Sequence, residues 1–261
     1  MNLHKIIPNS AVFPFSLSRA HSRTLLAGLS LALGLATSAL AHEDHHPAAP
    51  ASAQPVVAAS TPLAARFDLK YNQVKTDWYL WREADRIETA SAVTGQNQVW
   101  ERQAPGEYRY RRVFNKDHRV VEYTPGEIKT QNLTPDWAKL ASVVSPQLLA
   151  DLKRGPVSQR FGQKAVRYSG QVGGQKIDLV WLEEAKVPAR LSMIGKGQRL
   201  EMQLKELLAQ APADWPRTSE EKIADYGLLD ASDFGDMEQD PFVARVLRQD
   251  GHDHDHGGHA H

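Results

Sequence analysis

The sequence predicts an α+β fold that is mainly antiparallel β. Short aromatic or β-branched runs, separated by polar turn residues, begin at Arg66. Two short helical segments follow between residues 134 and 153. Alternating strands then continue to residue 212, so we expect two antiparallel meanders on either side of a helical pair.

Composition excludes several classes of protein. The 261 residues are 41% hydrophobic and 24% charged, which is enough for a sizeable core. Lys and Arg together number 31, and Asp and Glu together also number 31. The sequence therefore has no excess of positive charge that would favour nucleic acid as a partner. The absence of cysteine excludes disulfides, thiolate metal sites, a cysteine nucleophile and a lipid anchor on cysteine.

The first 41 residues are predicted to be a cleavable signal peptide. An apolar run from Leu25 to Ala36 follows Arg19 and Arg23, and the small residues end at Ala41. The alternative is an uncleaved membrane anchor, but the run is shorter than the ~20 residues that a span requires. We therefore expect a periplasmic or secreted protein, cleaved near Ala41.

Histidines gather at both ends of the predicted mature chain. Residues 42–65 combine a histidine group with an Ala/Pro linker, and residues 250–261 form a tail expected to stay flexible. Imidazoles beside aspartates suit zinc, copper or nickel. The alternatives are a solvated low-complexity end or a tag. The candidate metal ligands are His42, His45, His46, His252, His254, His256, His259 and His261.

The first meander is predicted from five short strands. Tyrosines and arginines alternate in Glu107–Arg111, which places rings and guanidinium groups on opposite faces. Turns are expected at Pro105-Gly106, at residues 115–117 and at Pro125-Gly126. The predicted strands are Asp77–Arg82, Arg86–Thr89, Val99–Arg102, Glu107–Arg111 and His118–Tyr123.

The helical pair has two start signals. Thr134 is a predicted cap with Pro135 at the first helical position, and Ser145-Pro146 repeats the pattern. The second helix is expected to continue to Lys153 before Gly155-Pro156 ends it.

The second meander and the segment after it are read from similar signals. Gly173-Gly174 marks a hairpin, Pro188 begins a strand, and residues 199–205 alternate as a strand despite good helix formers. In residues 213–249, Thr218 and Glu221 have capping-box spacing for a helix that ends near Gly227. An acidic linker from Asp225 to Asp240 and a last helix from Pro241 follow.

The region from Trp78 to Leu208 resembles the periplasmic lipoprotein-carrier (LolA/LolB-like) family. The matching features are the helical pair from Trp137 to Leu152, Tyr168-Ser169-Gly170, the strand Asp178–Leu182 and Pro188-Ala189-Arg190-Leu191. The resemblance implies an incomplete, half-open β-barrel, short helices over its open side and an apolar cavity for lipid chains. The amphipathic helix that usually precedes the first strands in that family is missing here.

Two functional hypotheses come first. An enzyme comes third, because no catalytic motif is present and a hydrolytic metal held in the tails would lack a preformed pocket and a general base. The first is an exported protein that buffers or delivers zinc, copper or nickel through its histidine-rich ends, with metal ions and a metal transporter as partners. The alternative is a carrier of lipid or another apolar ligand. His118 is interpreted as a surface hairpin residue. The candidate lining of an apolar cavity is Trp78, Trp81, Trp100, Trp181, Leu191 and Met193.

Overall fold

The computed structural model describes residues 61–249. The predicted signal peptide, all eight candidate metal ligands, residues 42–60 of the predicted linker segment and the tail from residue 250 lie outside these residues. The first strand begins at Leu63, inside the segment predicted as a linker. Within the described chain, twelve strands form one sheet. The strands are β1 Leu63–Tyr71, β2 Val74–Arg82, β3 Arg86–Ser91, β4 Gln96–Ala104, β5 Glu107–Phe114, β6 Arg119–Tyr123, β7 Lys153–Arg160, β8 Gln163–Val172, β9 Gln175–Leu182, β10 Val187–Gly195, β11 Gln198–Leu208 and β12 Gly227–Asp230. Their order in the sheet is β12-β6-β5-β4-β3-β2-β1-β11-β10-β9-β8-β7.

The helices of residues 61–249 are short. They are α1 Pro125–Thr130, α2 Trp137–Ser142, α3 Pro146–Asp151, α4 Glu220–Ile223 and α5 Pro241–Gln249, with a 3₁₀ helix at Ala231–Gly235. In this part of the chain, no helix combines the length and the apolar character needed to cross a bilayer.

The two predicted meanders are joined into a single sheet. Strand β1 pairs antiparallel with β11, for example Phe67 with Leu204 and Tyr71 with Leu200. All neighbouring strands are antiparallel except β12, which runs parallel to β6. Strands β7 and β12 form opposite edges and do not pair with each other, so the sheet does not close into a barrel. The prediction of an open, mainly antiparallel sheet with short helices is confirmed.

One face of the sheet, here called the inner face, carries the core. Alternate residues of each strand point to it because side chains in a strand alternate between faces. Phe67, Trp78 and Leu179 are buried there in one cluster with Leu140 and Leu148 from the helices. The segment that contains α1, α2 and α3, here called the lid, connects β6 to β7 and therefore crosses the open side of the sheet.

The turn predicted at Pro125-Gly126 is wrong, because a helix begins there. Thr124 and Glu127 form a capping box: the Glu127 backbone N–H donates to Thr124 Oγ1 at 3.4 Å, and the Thr124 N–H donates to the Glu127 carboxylate at 2.6 Å. Proline occupies the first helical position, where its missing N–H has no intrahelical partner to lose.

The helical pair is confirmed, with shifted boundaries. Asp136, rather than Thr134, caps α2 by accepting from the Lys139 N–H at 3.0 Å. Ser145 caps α3 as predicted. The helix ends at Asp151, and Gly155-Pro156 lies inside the edge strand β7, where a missing N–H is tolerated.

The segment after β11 differs most from expectation. Ser219, rather than Thr218, caps α4, which ends at Ile223 and not near Gly227. The predicted acidic linker contains β12 and the 3₁₀ helix. The last helix begins at Pro241 as predicted.

Candidate functional site

The inner face forms a continuous apolar surface and is the candidate ligand site. Five of the six predicted lining residues are buried together there: Trp78, Trp100, Trp181, Leu191 and Met193. They belong to four strands, β2, β4, β9 and β10. The sequence pattern therefore brings together residues that are more than 100 positions apart.

Trp81 does not belong to this set. It packs on the opposite, outer face with Ala64, Ala90 and Trp215. The reason is its position in β2, because residues three apart in a strand point to opposite faces. The assignment of Trp81 to the same apolar lining as Trp78 is corrected.

Aromatic rings form a row across three neighbouring strands of the inner face. Trp100 in β4 stacks on Tyr110 in β5 with a centroid distance of 4.1 Å. Tyr110 in turn stacks on Tyr123 in β6 at 5.1 Å. Large, flat side chains of this kind present a wide apolar surface, and they have little conformational freedom because each has only two rotatable bonds.

The lid contacts the sheet through its own apolar side chains. Ile128 of α1, Leu140 of α2 and Leu148 of α3 are buried in the inner cluster. Trp137, at the start of α2, is half-buried and stacks on Tyr108 at 5.8 Å. A lid built from a separate segment of chain can separate from the sheet without breaking strand pairing.

Arg82 is the main polar feature of the inner face. It lies at the end of β2, is 1% exposed, and points inward like Trp78 and Leu80. Its guanidinium donates to the Ala141 carbonyl of the lid at 2.8 Å and to the Ala185 carbonyl of the β9–β10 turn at 2.8 Å. It also donates to the Thr61 carbonyl from Nη2 at 2.9 Å.

Burial lowers the pKa of Arg82 to about 10, and this still leaves the side chain positively charged at neutral pH. Carbonyl dipoles compensate the charge, since all its hydrogen-bond acceptors are backbone oxygens. Arg82 therefore joins the lid, the β9–β10 turn and the chain before β1 at a single point. Sequence reasoning missed this residue, although its inward position follows from the period of β2.

The outer face is covered across β2 to β6 by residues 209–226, here called the strap. Trp215 of the strap contacts the rings of Tyr79 and Trp81 at 5.1 and 6.1 Å. Farther along, Ile223 packs with Val113 and Val120. The strap thus continues the chain from β11 to the far edge of the sheet.

A fully buried carboxylate fixes the middle of the strap. Glu88 Oε1 accepts from the Thr218 backbone N–H at 2.7 Å and from Asn97 Nδ2 at 2.7 Å. Its second oxygen forms an ion pair with Arg86 at 2.8 Å. The Thr218 predicted as a helix cap is instead part of this buried network.

A second contact of the strap lies nearer the surface. Glu220 accepts from the Arg111 guanidinium at 2.8 Å. This hydrogen bond lowers the pKa of Glu220 below its ordinary value. Arg111 of β5 therefore contacts the strap on the outer face, while its neighbour Tyr110 packs in the core on the inner face.

Several cavities lie among the described residues, and two of them adjoin elements described above. One of about 920 Å³ lies along the strap and is lined by residues 210–220, Lys222 and Arg86. The other, of about 600 Å³, lies among β1, β2, β10 and β11 and has mainly charged side chains around Leu69, Leu191 and Met202.

Of the histidines, the structure describes His118. It lies exposed in the β5–β6 turn and stacks on Tyr226 at 4.9 Å, in agreement with a surface hairpin residue. Within residues 61–249, no group of three or more His, Cys, Asp or Glu side chains is arranged to hold a metal ion.

Comparisons with known proteins give likenesses of fold. No protein-family model and no curated protein matches the chain. A structure of the Pseudomonas aeruginosa MucA/MucB complex matches at 18% identity and a TM-score of 0.37, with 61% of this chain and 56% of that chain covered. LprF from Mycobacterium bovis matches at 12% identity and 0.32, with 62% and 92% covered.

A LolA superfamily protein from Nitrosomonas europaea matches at 7% identity and a TM-score of 0.29, with 62% of this chain and 92% of that chain covered. The chain spans 33% of PNGF-II and 56% of the MucA/MucB chain, which are among the first structures matched. The likeness concerns the fold alone. The structural neighbours include a LolA superfamily protein, the family that the sequence resembles.

Proposed function

We propose that this chain is an exported carrier that holds an apolar ligand, such as lipid chains, between the inner face and the lid. The observation that carries the proposal is the apolar inner face, which extends across eleven strands and is covered by a separate segment. Half-buried apolar side chains, among them Leu149, Tyr168 and Val172, extend this surface outward. The predicted signal peptide supports a periplasmic or secreted location, and we assign no catalytic role.

A brominated fatty acid tests this function, because bromine quenches tryptophan fluorescence at short range. We expect saturable quenching of the protein isolated from the periplasm of an expression host. Trp100→Phe should reduce the quenched fraction, since Trp100 lies on the inner face. Trp81→Phe is the matched control and should leave the quenched fraction of the remaining tryptophans undiminished, since Trp81 lies on the outer face.

Two results would argue against a carrier. One is the absence of saturable quenching in protein stripped of copurified lipid by organic extraction and refolding. The other is a quenched fraction that Trp81→Phe reduces as much as Trp100→Phe does, because that result would locate the chains on the outer surface.

Metal binding is a second candidate function and is supported by the sequence. Five histidines lie within ten residues, from His252 to His261. Calorimetric titration with zinc, copper or nickel is expected to give a higher stoichiometry for the full chain than for a chain ending at Asp250. Binding should weaken below pH ~6.5, because protons then compete for the imidazole nitrogens. Equal titrations of the two chains would remove the role of the tail.

A further inference from the structure

Charge is distributed unevenly along the chain and across the sheet. Residues 153–197 carry nine Lys and Arg against three Asp and Glu, whereas residues 198–249 carry six against eleven. The first segment forms β7 to β10 at one edge of the sheet. The second forms β11, the strap, and β12 at the other edge. The molecule therefore has a basic edge and an acidic side.

The basic edge is most pronounced in the hairpin of β7 and β8, Lys153–Val172, here called the basic hairpin. It contains five cations and no carboxylate. Glu183, directly after β9, pairs with Lys164 at 2.8 Å and with Arg154 at 3.6 Å. Arg167 pairs with Asp178. Lys153 and Arg160, both exposed, have no carboxylate partner among residues 61–249.

Large apolar side chains are exposed in the same hairpin. Phe161, at its tip, is 44% exposed, and Val157 on β7 is 50% exposed. Charges and Pro156 on an edge strand protect it from pairing with other strands. That protection needs no phenylalanine at the tip, where φ of +49° favours Gly or Asn instead. The combination of free cations with an exposed ring therefore points to a binding surface.

We propose that the basic hairpin docks the protein reversibly on an anionic lipid bilayer. A bilayer presents a plane of phosphate groups that is complementary to exposed Lys153 and Arg160, and its headgroup region accepts an aromatic ring such as Phe161. One ring and a few cations give weak, reversible attachment rather than anchoring. Docking goes beyond the carrier function, because it depends on the outside of β7 and β8 and not on the inner face.

Sedimentation with vesicles tests the proposal. The protein is isolated from the periplasm of an expression host, and its amino terminus is read by mass spectrometry, because an uncleaved leader would itself bind lipid. Vesicles of phosphatidylcholine with phosphatidylglycerol should bind it, and vesicles of phosphatidylcholine alone should not. Raising the salt concentration should release it, since screening shortens the range of the attraction.

Two variants locate the surface. The double reversal Lys153→Glu/Arg160→Glu should reduce partitioning about 20-fold or more, since each cation near an anionic surface contributes about 1 kcal/mol, roughly a factor of five. Phe161→Asn, which suits the turn, should reduce it roughly fivefold. Lys222→Glu/Arg248→Glu makes the same change of net charge at exposed positions outside the hairpin and should bind like the parent.

Several outcomes would overturn the proposal. Equal binding to both kinds of vesicle, or an unchanged Lys153→Glu/Arg160→Glu variant with an unaltered thermal unfolding curve, would exclude docking through the basic hairpin. Binding of soluble polyglutamate that Phe161→Asn leaves intact, without binding to vesicles, would identify an acidic polypeptide as the partner. Salt-sensitive dimers that the charge reversals dissociate, again without vesicle binding, would assign the hairpin to a second copy of the chain.

Discussion

Replacing Arg82 by lysine is expected to lower the free energy of unfolding by about 3 kcal/mol. The planar guanidinium of Arg82 reaches carbonyl oxygens of Thr61, Ala141 and Ala185, which come from three separate segments. An ammonium is a compact charge at the end of a flexible stem and does not reproduce this fork of donors. At least one buried carbonyl would lose its donor, and the buried charge would lose part of its compensation. Urea unfolding monitored by tryptophan fluorescence measures the loss.

The lid provides a second, local measurement of the same change. Amide hydrogen exchange in α2 should accelerate in Arg82→Lys, because Ala141 belongs to that helix. Arg190→Lys is the matched control, since Arg190 is an exposed arginine on the outer face of β10. If Arg82→Lys unfolds within about 0.5 kcal/mol of Arg190→Lys and exchange in α2 is unchanged, Arg82 does not fix the lid.

Replacing Glu88 by alanine is expected to lower the free energy of unfolding by about 4 kcal/mol. Glu88 is fully buried, so little water can take the place of its carboxylate beside Asn97, Arg86 and the Thr218 N–H. Removal takes the nearer carboxylate from half-buried Arg86, whose other carboxylate partner, Glu101, lies at 3.6 Å, and it leaves the buried Thr218 N–H without an acceptor. Trypsin cleavage after Arg217 in the strap should accelerate together with the loss of stability.

The control for this prediction is Glu107→Ala, because Glu107 is an exposed carboxylate beside the β4–β5 turn. Its removal should change stability by less than about 0.5 kcal/mol. Equal stability of Glu88→Ala and Glu107→Ala, with equal rates of cleavage in the strap, would show that the buried network does not hold the strap.

The strands that alternate clearly could be predicted from the sequence, but the faces of their residues required one more step. The candidate lining includes both Trp78 and Trp81, although an odd spacing places them on opposite sides of β2. The same rule would have placed Arg82 beside Trp78 on the inner face. Its acceptors are 21, 59 and 103 residues away in the chain, and no local pattern identifies them.

The elements that were missed have weak local signals. Strand β7 is exposed along nearly its whole length, so no apolar alternation marks it. Strand β12 has four residues within an acidic stretch, and its pairing with β6 is what makes it a strand. For α1 the signal was present: Thr124 and Glu127 have the spacing of a capping box, which outweighs the turn suggested by Pro125-Gly126.

The candidate site likewise combines features that have a local sequence signal with features that have none. The apolar inner face could be predicted from strand alternation together with the resemblance to lipoprotein carriers, and five of its six candidate residues lie there. The strap could not, because Glu88 and Thr218 are 130 residues apart and neither has a motif around it. Metal binding by the histidine-rich tails stays a prediction from composition.

The pairing of β1 with β11 has a consequence for how the chain acquires its structure. Ala65 lies opposite Leu207, so β1, at the middle of the sheet, can pair with β11 only after the chain has been synthesised 142 residues farther. Bringing such distant segments together costs loop-closure entropy before any contact compensates for it, and this makes folding slow. During that interval one long edge of β1 remains open to other chains, so we expect newly synthesised molecules to depend on chaperones before they reach the native state.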